Sequence, residues 1–238
     1  MSRWAALLRF DVRLQARQGF YAASVFLVIV VGALLLMVPA AARANAALWV
    51  PALFVVNLPI TTLFFMAGMI LLERDEGTLA ALGVTPCRAS DYLAVRMVSL
   101  TMLAIVETLV VVWIAFDVGA WPWLAAGAAA LGVFYTACGA GISARYASVN
   151  ELILPASVLV TALLVPLLPH LGLMPRVFVI AHPVEPALTL VRAAYRTPAP
   201  LDAAFGIVGS LIWCAAAWAW GRRSVARAMR DTRASGGR

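Results

Sequence analysis

Lysine is missing from the 238 residues, and all eighteen basic side chains are arginine. A phosphate-binding loop of the Walker A type needs a lysine that reaches the β- and γ-phosphates, so ATP cannot be bound here in the standard P-loop manner. Schiff-base and proton-relay lysines are excluded with it. Charge as a whole is scarce at 12%, where soluble domains carry roughly a quarter charged residues. Cys87, Cys138 and Cys214 are isolated, with no C-x-x-C pair or adjacent histidine to build a metal site. The two histidines, His170 and His182, form no H-E-x-x-H pattern, and no G-x-S-x-G serine elbow occurs. Hydrolase readings therefore have no support.

What the chain has in abundance is apolar residues, 64% of the total. That places it in a bilayer, and its length suits about six transmembrane helices of roughly 20 residues each, with little left for a soluble domain. The expected fold class is all-α and polytopic. The formal net charge of +7 would suggest nucleic-acid binding in a soluble protein. Here the arginines cluster beside hydrophobic segments and read as orientation signals and contacts to membrane lipids, and no nucleic-acid partner is expected.

Residues 2–18 have the pattern of an amphipathic interfacial helix, with Arg9, Arg13 and Arg17 in one stripe and Trp4, Leu7, Leu8 and Val12 opposite. Asp11 falls on the apolar side, which leaves two readings: a charge partner elsewhere in the fold, or a place at the headgroup boundary. Spans are expected at 20–39, 48–72, 92–116, 123–142, 152–168 and 201–220. The first ends in a sequence that superficially resembles a signal-peptide cleavage site, but its apolar run is longer than an h-region. Pro51, Asn57 and Pro59 interrupt the second span, and Pro155 and Pro166 the fifth. Glycines 127, 132, 139 and 141 in the fourth predict close helix packing. Residues 169–200 are too polar and proline-rich to cross, and read as one or two short helices dipping into the outer interface. The tail, 221–238, reads as frayed. This layout puts fourteen arginines inside and four (Arg43, Arg176, Arg192, Arg196) outside, which orients both termini to the cytoplasm.

Between spans two and three lies a charged elbow, 73–91, in which TLAALGV forms a short helix across the cytoplasmic face, limited by Pro86. Glu107 is the one acid placed deep in hydrocarbon. A central carboxylate costs a few kcal/mol, so it must be protonated, paired or facing a cavity. Two readings stand: Glu107 lines a pathway and attracts a cation or titrates, or it makes a structural hydrogen bond to Thr101, Thr108 or a neighbouring span. Asn57, Thr61, Thr62, Tyr135 and Thr136 are the other polar groups that either line such a route or bond between helices. Asn150 and Glu151 read as an N-cap and first-turn acid of the fifth span, and as gating candidates.

Three local sequences carry a resemblance: RFDVRLQARQGFY entering the first span, ERDEGTLAALGVTP followed by DYLAVR in the elbow, and SVNELILP opening the fifth span. They are similar to the permease subunits of type-2 ABC exporters, and among these to fluoroquinolone export permeases. The resemblance implies a bacterial cytoplasmic-membrane protein with a second permease copy or paralogue and two copies of an ABC ATP-binding subunit. It implies no cofactor in this chain and Mg-ATP in the partner, so that this subunit is not itself an enzyme. It implies export of a hydrophobic or amphipathic small molecule by alternating access. On it, Glu73, Arg74, Asp75, Glu76, Thr78, Leu79, Leu82 and Thr85 are the candidates for coupling to the ATPase. The rival readings are a proton-coupled carrier using Glu107 and a non-transporting membrane assembly subunit.

Overall fold

A computed structural model describes residues 3–79, 81, 88–116 and 119–235; at 3 and 231–235 only the helical backbone is described. All regular elements among these residues are helical. The interfacial helix α1 (Arg3–Arg17) leads through Gly19, in the left-handed conformation, into α2 (Phe20–Met37). After α3 (Ala40–Arg43), one continuous rod runs through α4 (Ala46–Pro59), a π-helical segment (Ile60–Phe64) and α5 (Phe65–Asp75). Then follow α6 (Ala89–Ala115), α7 (Trp121–Ser143), α8 (Val149–Leu163), α9 (Leu167–His170), a 3-10 turn (Arg176–Val179), α10 (Glu185–Ala193) and α11 (Pro200–Ser235). Among the described residues, five helices are long and apolar enough to cross a membrane: α2, the α4–α5 rod, α6, α7 and α11. At 15 residues α8 is about 22 Å long, short of a hydrocarbon core about 30 Å thick.

Helix α7 is the centre of the bundle, and its small residues are the reason. A Cβ at Gly127 would strike Val191 of α10, and one at Gly139 would strike the Leu63 backbone of the π segment. One at Gly132 would lie 3.0 Å from Thr101 of α6, and one at Gly141 2.6 Å from the Trp220 ring of α11. Each face of α7 thus meets a different element at near-backbone distance, as small-residue helices in membranes do. By contrast α2 and the apolar part of α11 leave most of their surface uncovered by the chain.

Two features differ from expectation: α8 stands short of the span expected at 152–168, leaving five candidate spans among the described residues rather than six, and the tail keeps its helix. The tail is not frayed over the described residues, because Val225, Ala228 and Met229 continue the buried stripe of α11 and keep the helix against the bundle. The region after α8 holds short helices, as expected of it, and α10 among them is buried along nearly its whole length against α7, α11 and α4. The short elbow helix lies mostly outside the described residues; of it, Thr78, Leu79 and Ala81 are helical.

Cross-links at the two ends fix which termini lie together. Arg43 donates to the carbonyls of Val38 and Ala115, at 3.0 and 2.9 Å, and Ala120 N–H donates to Ala194 O at 3.0 Å. At the other end Arg74 donates to the carbonyls of Ala144, at 3.1 Å, and Tyr146. The Arg145 guanidinium lies 5.9 Å from the Trp220 ring centre. Glu73, beside Arg74, is joined through Arg96 to Asp11 of α1, so helix α1 and the C-terminal part of α11 sit on the same side of the bundle.

Candidate functional site

The rod's break begins at Pro59. Proline has no N–H to return to the preceding turn, and a π turn accommodates the lost bond. The Thr62 hydroxyl donates to the Leu58 carbonyl at 2.6 Å, satisfying an acceptor the wider turn would otherwise strand. This geometry aims Thr61 at α6. Its hydroxyl lies 2.7 and 2.9 Å from the two oxygens of Glu107, and Asn57 donates its amide to Oε1 at 3.1 Å. All three side chains are buried. The buried Ser24 hydroxyl of α2 bears on the same carboxylate without reaching hydrogen-bonding geometry.

Glu107 is thus engaged by the neighbouring rod, and among the residues weighed from sequence it is Asn57 and Thr61, not Thr101 or Thr108, that hold it. Tyr135 is fully buried with its hydroxyl unpartnered among the described residues, and makes no hydrogen bond to this carboxylate. Its ring packs edge-on to Phe134 at 5.6 Å.

A second polar centre joins α1 to the bundle. Arg96 of α6 pairs through Nε with Asp11 at 2.7 Å and through Nη2 with Glu73. The Tyr92 hydroxyl donates to Glu73 at 2.5 Å, and the Ser99 hydroxyl to Asp11 at 2.5 Å. Gln15 donates to Asp11 at 2.7 Å, one turn along α1. Asp11, Gln15, Glu73 and Arg96 are each at most 3% exposed. Of the two readings of Asp11, the structure selects the charge partner. No sequence signal named that partner; the clue was an acid on an apolar face.

The elbow candidates divide. Glu73 is inside the Arg96 network, Arg74 is bound to backbone carbonyls, and Leu79 is 1% exposed. Asp75, Glu76 and Thr78 are exposed, beside Gly77 at φ +71°. Leu82 and Thr85 lie outside the described residues. At the start of α8, Ser148 rather than Asn150 is the N-cap. Its extended backbone lets the hydroxyl accept from Glu151 N–H at 3.4 Å, while the Glu151 carboxylate accepts from Ala147 N–H at 3.1 Å. This resembles the S-x-x-E capping arrangement, which is legible in the sequence. Asn150 is left exposed.

A model of the Fluoroquinolones export permease protein family matches residues 2–231. The chain belongs to this family. Among curated proteins, those bearing the name fluoroquinolones export permease protein in two strains of Mycobacterium tuberculosis, CDC 1551/Oshkosh and ATCC 25618/H37Rv, are each 30% identical to it over 221 residues. The alignment covers 91% of this chain and 91% of each relative. No solved structure matches. Membership bears out the resemblance drawn from the entry, elbow and fifth-span sequences, and makes the chain a permease with several membrane-embedded helices. In this family member the elbow's only described solvent-facing candidates are Asp75, Glu76 and Thr78.

Proposed function

We propose that this chain is the membrane subunit of an ATP-driven ABC exporter that moves a hydrophobic or amphipathic small molecule of the fluoroquinolone kind out of the cytoplasm or inner leaflet. The observation that carries the reading is the match to export permeases along nearly the whole chain. Lacking a P-loop lysine, the chain takes its energy from two copies of a separate ATP-binding subunit holding Mg-ATP. A second permease copy or paralogue completes the pathway. The positive-inside rule orients the side bearing α1, Arg74, Arg145 and the α11 tail to the cytoplasm of a bacterial inner membrane.

In this mechanism the ATPases press on the exposed acids Asp75 and Glu76 and on Thr78, with Leu82 and Thr85 in the same elbow. Glu73 sits at the end of α5 and is tied through Arg96 to α6 and through Asp11 to α1. A displacement of the elbow is therefore delivered to spans two and three and to the interfacial helix together. Leu79, buried, holds the elbow to the bundle, and Asn150 and Glu151 set the hinge of α8. Inside the membrane, Glu107 with Asn57 and Thr61 is the point at which a cationic group on the cargo finds a partner. Tyr135 supplies a further unpaired hydroxyl.

The test is co-purification of the tagged chain from its native membranes in mild detergent. A P-loop ATPase is expected in stoichiometric amount, and is expected to be lost from Asp75→Lys/Glu76→Lys. A chain that comes down alone overturns the ABC assignment. The enclosed carboxylate of Glu107 favours a second reading, a proton-coupled carrier. That reading requires transport that persists without the ATPase and collapses when the proton gradient is dissipated.

A further inference from the structure

Five arginines from two distant parts of the chain converge on one groove. Arg88, at the entrance to α6, faces Arg222, Arg223, Arg227 and Arg230 of α11 across an open cavity of about 420 Å³. Among the described residues no carboxylate lines it. The register of α11 explains the arrangement: Val225, Ala228 and Met229 are buried against the bundle, and the four arginines of the tail are all exposed on the other face. A signal for membrane orientation needs only that arginines lie on one side. It does not need them gathered from two segments around a single cavity.

The axial position matters as much as the charge. The apolar stretch of α11 ends at Trp220, so Arg222 and Arg223 come in the first turn beyond hydrocarbon, at the depth of lipid phosphates. Arg230 lies about 12 Å further along the helix. Guanidinium groups bind phosphate by paired N–H donors, and several around one cavity can share a single anion.

We propose that this groove is a phosphate site, filled by the headgroup of an anionic phospholipid from the leaflet on that side. The proposal rests on the placement of α11 in the membrane and not on the export reading. The bound headgroup neutralises the groove and pins the tail of α11 to the start of α6.

Native mass spectrometry of the full-length chain, released from nanodiscs containing equal phosphatidylglycerol and phosphatidylcholine, tests it. The wild type is expected to retain phosphatidylglycerol selectively. Each arginine near an anionic surface contributes about fivefold in affinity, so Arg223→Gln/Arg227→Gln is expected to lower the selectivity about 25-fold. Arg13→Gln/Arg17→Gln, an exposed pair of equal charge on the interfacial helix of the same side, is expected to lower it several-fold less, because those charges do not share the groove. All four positions are exposed, and an unchanged melting temperature verifies folding. Inorganic phosphate separates the sources: protection of the groove by phosphate without lipid retention assigns a soluble phosphate, and selective lipid retention assigns the headgroup. Equal retention by both double variants, with no effect of phosphate, overturns the proposal. Loss of the partner ATPase from Arg223→Gln/Arg227→Gln with lipid selectivity intact also overturns it, by giving the groove to a protein surface.

Discussion

Single residues decide the two polar centres, and their predictions follow from burial. Removing Arg96 leaves Asp11 and Glu73 as unpaired acids inside the bundle, so Arg96→Ala is expected to cost about 3–5 kcal/mol, read as a lowered midpoint of thermal unfolding in detergent. Lysine is expected to rescue it only partly, since one ammonium cannot reproduce the fork that reaches both carboxylates. The histidines make a pH prediction. His170 Nε2–H donates to the Leu48 carbonyl at 2.8 Å, while Nδ1 accepts from Arg192 Nε at 3.4 Å. His182 repeats the pattern with the Ala162 carbonyl, at 3.1 Å, and Val184 N–H, at 3.3 Å. Each ring is therefore the neutral Nε2–H tautomer, and a proton on Nδ1 would cancel an accepted bond. Burial holds both imidazoles below their ordinary value, partly offset by the backbone carbonyl each one faces; Arg192 lowers His170 further. The unfolded chain then binds more protons than the folded one, so stability is full above the unfolded value near 6.5 and falls as pH drops below it. The melting temperature is expected to decline between about pH 7 and about pH 5.5, and His170→Gln/His182→Gln to flatten that decline. Legibility at this scale was uneven. The need of Glu107 for a partner followed from hydropathy alone, but which helix supplied it depended on the turn of the rod at Pro59. Asp11 announced itself as misplaced, while Arg96, 85 residues on, gave no local sign.

At the scale of elements, the sequence reading was strongest where composition acts directly. Long apolar runs became α2, α6, α7 and α11, and the glycines of α7 foretold its central place. It was weakest where tertiary contacts override local signals. Short helices were expected in 169–200, but polar, proline-rich residues 176–193 gave no sign of how deeply α10 is buried, a burial supported by Arg176 and Arg192 both pairing with the enclosed Glu185 at 2.6 and 2.7 Å. Arginines in the tail suggested fraying, where a second face of Val225, Ala228 and Met229 holds a helix. Two substitutions test the packing. Gly139→Val drives a branched side chain into the Leu63 backbone and is expected to destabilise the protein by about 1–3 kcal/mol or more, seen as reduced yield and an earlier melt. Replacing Thr61 by Val keeps the shape of the π segment but removes a donor to Glu107. It is expected to cost about 1–3 kcal/mol, and Asn57→Leu with Thr61→Val to cost more than either alone.

For the whole molecule, the arrangement of uncovered surface points outward in two senses. The apolar faces of α2 and α11 are uncovered by the chain, and on the proposed mechanism they meet lipid or a second permease while the exposed acids of the elbow meet the ATP-binding subunit. The chain's own cohesion runs through α7, the Glu107 tie and the Arg96 joint, and on the proposed mechanism the Arg96 joint passes a displacement of the elbow to the bundle and α1 together. The central claim, export driven by a separate ATPase, is tested most directly in inside-out membrane vesicles containing the chain and its co-purifying ATPase, by following uptake of a fluorescent fluoroquinolone. The account predicts uptake that requires ATP, survives dissipation of the proton gradient, and falls at least tenfold in Asp75→Lys/Glu76→Lys, a loss of about 1.4 kcal/mol or more in coupling. Uptake that proceeds without the ATPase and stops when the proton gradient is dissipated would contradict it.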